Sequence, residues 1–130
     1  MSWKASIKLK LYLNADKINF VKGTSEDFYK NNPSENFDLV YIDGDHRYDY
    51  VKKDWDYAKE SARKFVIFDD YHLPTKIEKD IEVSKVVDNI KDYKKELVIM
   101  DRRLFLDDRR LKDEEIDYGQ VIVNINSKGT

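Results

Sequence analysis

"FDLVYIDGDHRYDYVKKDWDYAKESARKFVIFDD" runs from Phe37 to Asp70. It begins and ends on short, nearly continuous apolar runs, Phe37–Asp43 and Phe65–Asp70. Runs of this kind suit strands buried on both faces, as in parallel sheets. Between them Tyr48, Val51, Trp55, Ala58 and Ala62 recur at three- and four-residue spacing, which is one face of a helix. Strand, helix, strand is a βαβ unit, and its crossover is right-handed. The two strands are then parallel, and their C-terminal ends share one sheet edge. In open α/β sheets that edge is where ligands bind.

Both strands finish in carboxylates, Asp43 on the first and Asp69 and Asp70 on the second. Three carboxylates gathered at one edge repel each other unless a cation or a proton neutralises them. Oxygen donors of this kind suit magnesium, calcium or manganese. The same residues also have plainer readings. Asp43–Gly44 fits an ordinary turn, and Asp70 fits a helix cap. His46, three residues past Asp43, is either a polar group facing the cluster or a surface or capping residue. His72 and the tyrosines Tyr41, Tyr48, Tyr50 and Tyr71 read as pocket lining or as packing.

Downstream, Ile81–Ile90 reads as a helix with Val83, Val86, Val87 and Ile90 inward. Glu96–Met100 and Gln120–Ile125 read as two closing strands, separated by a charged stretch, Asp101–Gly119, that is long for a hairpin loop. The C-terminal "NSKGT" is expected to fray. Upstream, Lys17–Gly23 reads as a strand and Asn32–Pro33–Ser34 as a loop. In the first residues, Ile7, Leu9, Leu11 and Leu13 alternate as in a strand, whereas Trp3, Ile7 and Leu11 alone have helical spacing.

The chain's 130 residues suit a single domain with one modest core. Its 24 basic and 26 acidic side chains nearly cancel, with no uncompensated basic stripe of the kind nucleic acid requires. No nucleic-acid partner is therefore expected. The absence of cysteine excludes a disulfide scaffold, a thiolate zinc site and a cysteine nucleophile. No apolar run is long enough to span a bilayer, so no membrane partner is expected and a cytoplasmic location is the default.

The combination of "FDLVYIDGDHRYDYVKKDWDYA" with "FVIFDDYH" resembles the class I S-adenosylmethionine-dependent methyltransferases. Within them it is most similar to small-molecule O-methyltransferases carrying an "IDGDH-x-Y" segment and a "DD" pair. The resemblance implies a Rossmann-like, mostly parallel sheet with antiparallel closing strands. It places the Lys17 segment as the third strand, Phe37 as the fourth and Phe65 as the fifth, and puts a helix over Met1–Asn14. It implies Asp43, Asp69 and Asp70 as ligands of a divalent metal, with magnesium expected, and His46 as the catalytic base. Thr24 and Ser25 fall where the family contacts adenine, and Asp43 also counts among the cofactor-binding positions.

The chain departs from that family in its glycines, which stand only at 23, 44, 119 and 129, with no Gly-x-Gly. The expectation is therefore that the family's first two strands are missing, leaving a methyltransferase-like domain truncated at its N-terminus. The expected reaction is O-methylation of a small hydroxylated acceptor. The rivals are a non-catalytic remnant of the fold and a metal-dependent hydrolase using the same carboxylates. An unpaired sheet edge would favour self-association as a homo-oligomer.

Overall fold

The fold is seen in a computed structural model that describes residues 17–72, 81–99 and 118–129. Two compact units divide the chain, Met1–Pro33 and Ser34–Thr130. The readings made for the first residues, and most of the Asp101–Gly119 stretch, lie outside the described residues.

In the first unit, helix α1 covers Ser25–Asn31. Thr24 caps it: the Thr24 Oγ1 accepts from the Asp27 amide at 3.1 Å, satisfying one of the amides that a helix start leaves without a partner. Acidic Glu26 and Asp27 in its first turn and Lys30 in its last complement the helix dipole. Lys17–Gly23 does not form the expected strand. A strand needs a neighbour with which to exchange backbone hydrogen bonds, and this segment is not part of the sheet.

The second unit holds the sheet. Its strands are β1 (Phe37–Ile42), β2 (Ala62–His72), β3 (Lys94–Ile99) and β4 (Tyr118–Asn124). Their spatial order is β1-β2-β4-β3. The β1–β2 pair is parallel, with Leu39 opposite Phe65 and Ile42 opposite Phe68. The last strand inserts between β2 and β3 and runs antiparallel to both. The closing strands are thus antiparallel as expected. The sheet as a whole is not mostly parallel, because only one of its three pairings is.

Helix α2 (Tyr48–Ser61) makes the crossover from β1 to β2. It buries Val51, Trp55 and Ala58 of the stripe its sequence spacing marks out, together with Ser61, while Tyr48 is only partly buried. Ala62 is buried as well but belongs to β2, which starts with no intervening turn. Helix α3 (Val83–Asp88) buries Val83, Val86 and Val87. Both helices share one core with Ile42, Val66, Phe68, Val121 and Val123. At its centre Trp55 and Phe68 pack with ring centroids 5.7 Å apart.

Side chains alternate along a strand, so Leu39, Tyr41 and Phe65 project from the opposite sheet face. There they are 46%, 45% and 38% exposed. The expectation that β1 is buried on both faces is therefore corrected, because the helices of the shared core cover a single face. Part of the C-terminal stretch takes regular structure. Residues Ile125–Ser127 form a 3₁₀ turn, and the buried Ser127 accepts from the Lys94 amide at 2.8 Å.

Gly119 lies where β3 and β4 approach most tightly: a Cβ there would stand 2.5 Å from the Val98 carbonyl oxygen. That oxygen is backbone and cannot swing aside. Gly119→Ala is expected to destabilise the protein by about 2 kcal/mol, read as a lower midpoint in urea denaturation.

Candidate functional site

Asp43 follows β1 directly and starts a tight loop into α2. Asp45 braces that loop. Its Oδ1 accepts from the Arg47 amide at 3.0 Å, and its carboxylate takes the Arg47 guanidinium on both oxygens, at 3.0 and 2.6 Å. The hydrogen bonds from Arg47 hold the Asp45 carboxyl down at about 2. A second clamp comes from Glu82, just ahead of α3. The Glu82 amide donates to the His46 carbonyl at 2.8 Å, and the Glu82 carboxylate accepts from the Tyr48 amide at 3.3 Å. Sequence reading passes over Glu82, since nothing in its local pattern points 36 residues back along the chain. An acidic residue at a helix start was the only available hint.

On β2 the geometry turns on a bulge. Phe68 pairs with Val121 and Tyr71 with Gly119, so Asp69 and Asp70 together oppose Gln120 alone. Asp70 takes the strain of this with φ at 56°, in the left-handed region. The bulge sends the two adjacent carboxylates to different partners. Asp70 Oδ2 lies 2.7 Å from His46 Nε2, and Asp43 Oδ1 lies 3.8 Å from the same nitrogen. One donor atom from each of Asp43, His46 and Asp70 falls within a span of 4.8 Å. Although His46 as a residue is only partly buried, its Nε2 is buried and makes no aligned hydrogen bond among the described residues. Asp70 thus touches that nitrogen directly, and Asp43 stands about an ångström further off.

Asp69 stays outside this group. The Tyr41 hydroxyl donates to it, and Gln120 Nε2 approaches its Oδ1 at 3.5 Å while donating to the Tyr41 oxygen at 2.8 Å. Burial, followed by the hydrogen bond and charge of Asp69, raises the Tyr41 pKa well above its ordinary value. Asp43 is also raised, first by burial and then by the charges of Asp69 and Asp70, against the lowering effect of His46. That is the mutual repulsion expected of three carboxylates at one edge.

Of the other candidates, His72 is buried at the end of β2 and is not in the group. The Tyr71 hydroxyl donates to Asp88 at 2.9 Å, which ties β2 to α3. Thr24 and Ser25 belong to the first unit and the cluster to the second. The Thr24 oxygen is engaged in the α1 cap.

A family model described as a methyltransferase domain matches residues 6–71. The chain belongs to this methyltransferase domain family. The matched stretch contains β1, α2, the Asp43–His46 loop and the Asp69–Asp70 bulge, so the whole three-residue group lies within it. No curated protein and no solved structure matches the chain. Among the described residues, no helix of the methyltransferase domain is long and apolar enough to cross a membrane.

Two outcomes follow from this geometry. A left-handed conformation costs a residue bearing a Cβ roughly 1–2 kcal/mol and glycine almost nothing. Asp70→Gly is therefore expected to be more stable than Asp70→Ala by about 1 kcal/mol, measured by chemical denaturation. The second outcome concerns Asp45. Its folded pKa lies below its unfolded value, so its contribution is complete above the unfolded value and is lost as pH falls through about 2. A carbon-detected NMR titration should show that midpoint, and Arg47→Ala should move it up towards the ordinary carboxylate range.

Proposed function

We propose that this methyltransferase domain acts on a hydroxyl group of a small acceptor held at the Asp43–His46–Asp70 cluster, with a divalent cation bound by those three side chains. The observation that carries the reading is the convergence of two carboxylates on a buried imidazole nitrogen that has no aligned hydrogen bond. A cation among the three groups would satisfy that nitrogen and offset the burial and the carboxylate repulsion that raise Asp43. The donor set fits a metal. Its single imidazole moves the preference from magnesium towards manganese or zinc, since nitrogen donors suit the later metals better. When bound, such an ion supplies Lewis acidity that lowers the pKa of an acceptor hydroxyl.

The methyl donor implied by the family is S-adenosylmethionine, which supplies a methyl group on a positively charged sulfur. The residues present fit the acceptor side of such a site. They do not supply the glycine-rich cradle for the methionine part, because none of the four glycines stands in a Gly-x-Gly. The chain's own contribution is therefore to place the acceptor and manage its proton. Asp43 and Asp70 fix the position, and the Glu82 and Asp45 clamps hold the loop that carries His46. Asp69, held by Tyr41 and Gln120, shapes the field around Asp43 without joining the cluster.

A second reading is favoured by the 2.7 Å approach of His46 to Asp70. With Nε2 turned onto that carboxylate rather than onto an ion, His46 would be the general base. Nε2 cannot serve both as metal ligand and as the nitrogen paired with Asp70.

Manganese titration by calorimetry separates the two readings. Metal ligands must be deprotonated, so affinity should fall as pH drops through the raised range of Asp43. Asp70→Asn and His46→Ala should each weaken binding by more than about 100-fold, and Asp69→Asn by only about 10-fold, the scale of an outer-shell partner. Undiminished binding in His46→Ala would leave His46 as the base. Undiminished binding in an Asp43→Asn/Asp70→Asn double variant would refute the metal site.

A further inference from the structure

A cavity of about 260 Å³ opens beside α2, between its exposed side, the turn after α3 and the C-terminal Lys128. It shares no residue with the Asp43–His46–Asp70 cluster. Its apolar floor is Val86, Ile90 and the half-buried ring of Tyr93, which is backed edge to face by the buried Trp55, with centroids 5.6 Å apart and planes at 90°. Its rim is cationic. Lys52 and Lys59 reach it from α2, Lys91 from the turn and Lys128 from the C-terminal segment.

The charges on that rim are not balanced. Lys52 and Lys59 share one carboxylate, Asp56, at 2.5 and 3.2 Å. Lys91 and Lys128 form no ion pair among the described residues, and Lys128 Nζ stands 5.9 Å from the centre of the Tyr93 ring. Two carboxylates, Glu60 and Asp92, also line the cavity, so with Asp56 the four lysines face three carboxylates and the cleft keeps a net charge of plus one. Hydrogen bonds tie the segment carrying Lys128 to the turn ahead of β3. The Gly129 amide donates to the Asp92 carbonyl at 3.3 Å and the Ser127 hydroxyl accepts from the Lys94 amide at 2.8 Å, so Lys128 is held between two anchors.

We propose that this cleft binds a small phosphomonoester carried on a single ring. The ring would lie against the half-buried Tyr93, whose aromatic surface rewards a flat partner. The dianionic phosphate would sit among the lysine ammoniums, which act as mobile point charges towards phosphate. The volume suits one ring with its anionic group, and is below the range of about 300–1,000 Å³ that larger ligands occupy. Because both unpaired lysines are on the surface, binding weakens as salt screens them.

The test uses the full chain with phenyl phosphate as the probe, and phenol and inorganic phosphate as its two halves, followed by amide and indole NMR. The expected result is saturable shifts at the Trp55 indole N–H and the Gly129 amide, weakened by added salt. Lys91→Gln/Lys128→Gln should weaken binding by about tenfold with an unchanged melting temperature, since both side chains are exposed. The proposal is overturned by any of three results: no saturable shift with wild type, equal affinity in the double variant, or phenol binding as tightly as phenyl phosphate.

Discussion

Two parallel strands joined by one helix must finish on the same edge of their sheet. Everything at the candidate site depends on that constraint. The in-step pairing of β1 with β2 brings Ile42 opposite Phe68, so the residues that follow each strand emerge side by side. Asp43 and the Asp69–Asp70 pair are neighbours because the chain has no other way to close this unit. The hydrophobic core on the helix side maintains the pairing: Val66, Phe68 and Val123 are fully buried beneath α2 and α3. The polar cluster contributes charge repulsion rather than stability, and apolar burial elsewhere has to outweigh it.

The bulge on β2 turns a repetitive sequence into two different environments. Consecutive aspartates on a regular strand would point to opposite faces. With two residues set against one, Asp70 swings towards His46 while Asp69 is retained by Tyr41 and Gln120. A single backbone irregularity at φ 56° thus separates a carboxylate that belongs to the cluster from one that only biases it.

The βαβ unit was legible because its signal is strong and local. Apolar runs at Phe37 and Phe65 flank a helix whose buried stripe recurs at fixed spacing, and the two closing strands have the same continuous apolar character. The Lys17–Gly23 segment was misread for the opposite reason: a short apolar run does not reveal whether a pairing partner exists. Asp43 and Asp70 could be read as neighbours from topology alone, but the exchange of Asp69 for His46 could not, since it depends on a register shift between β2 and β4. Gly119 was the available clue. A glycine inside a strand marks a bulge or a close backbone approach, and here it stands next to the residue that faces the two aspartates. Glu82 and Gln120 lie far along the chain from the groups they hold, and a sequence does not print long-range hydrogen bonds.

The direct junction of α2 with β2 has a consequence for how this domain can vary. Ser61 ends the helix and Ala62 begins the strand, and both are buried. Most connections between such elements have a few exposed residues in which length changes are absorbed. This one has none. One residue added there would rotate the helix by about 100° relative to the strand, or slip β2 by one position and exchange its two faces. In the first case Trp55 leaves the core, and in the second Val66 and Phe68 do. Insertions and deletions are therefore barred from the centre of the chain, and related sequences should differ in length in their other connections while keeping the spacing from Trp55 to Phe68 unchanged.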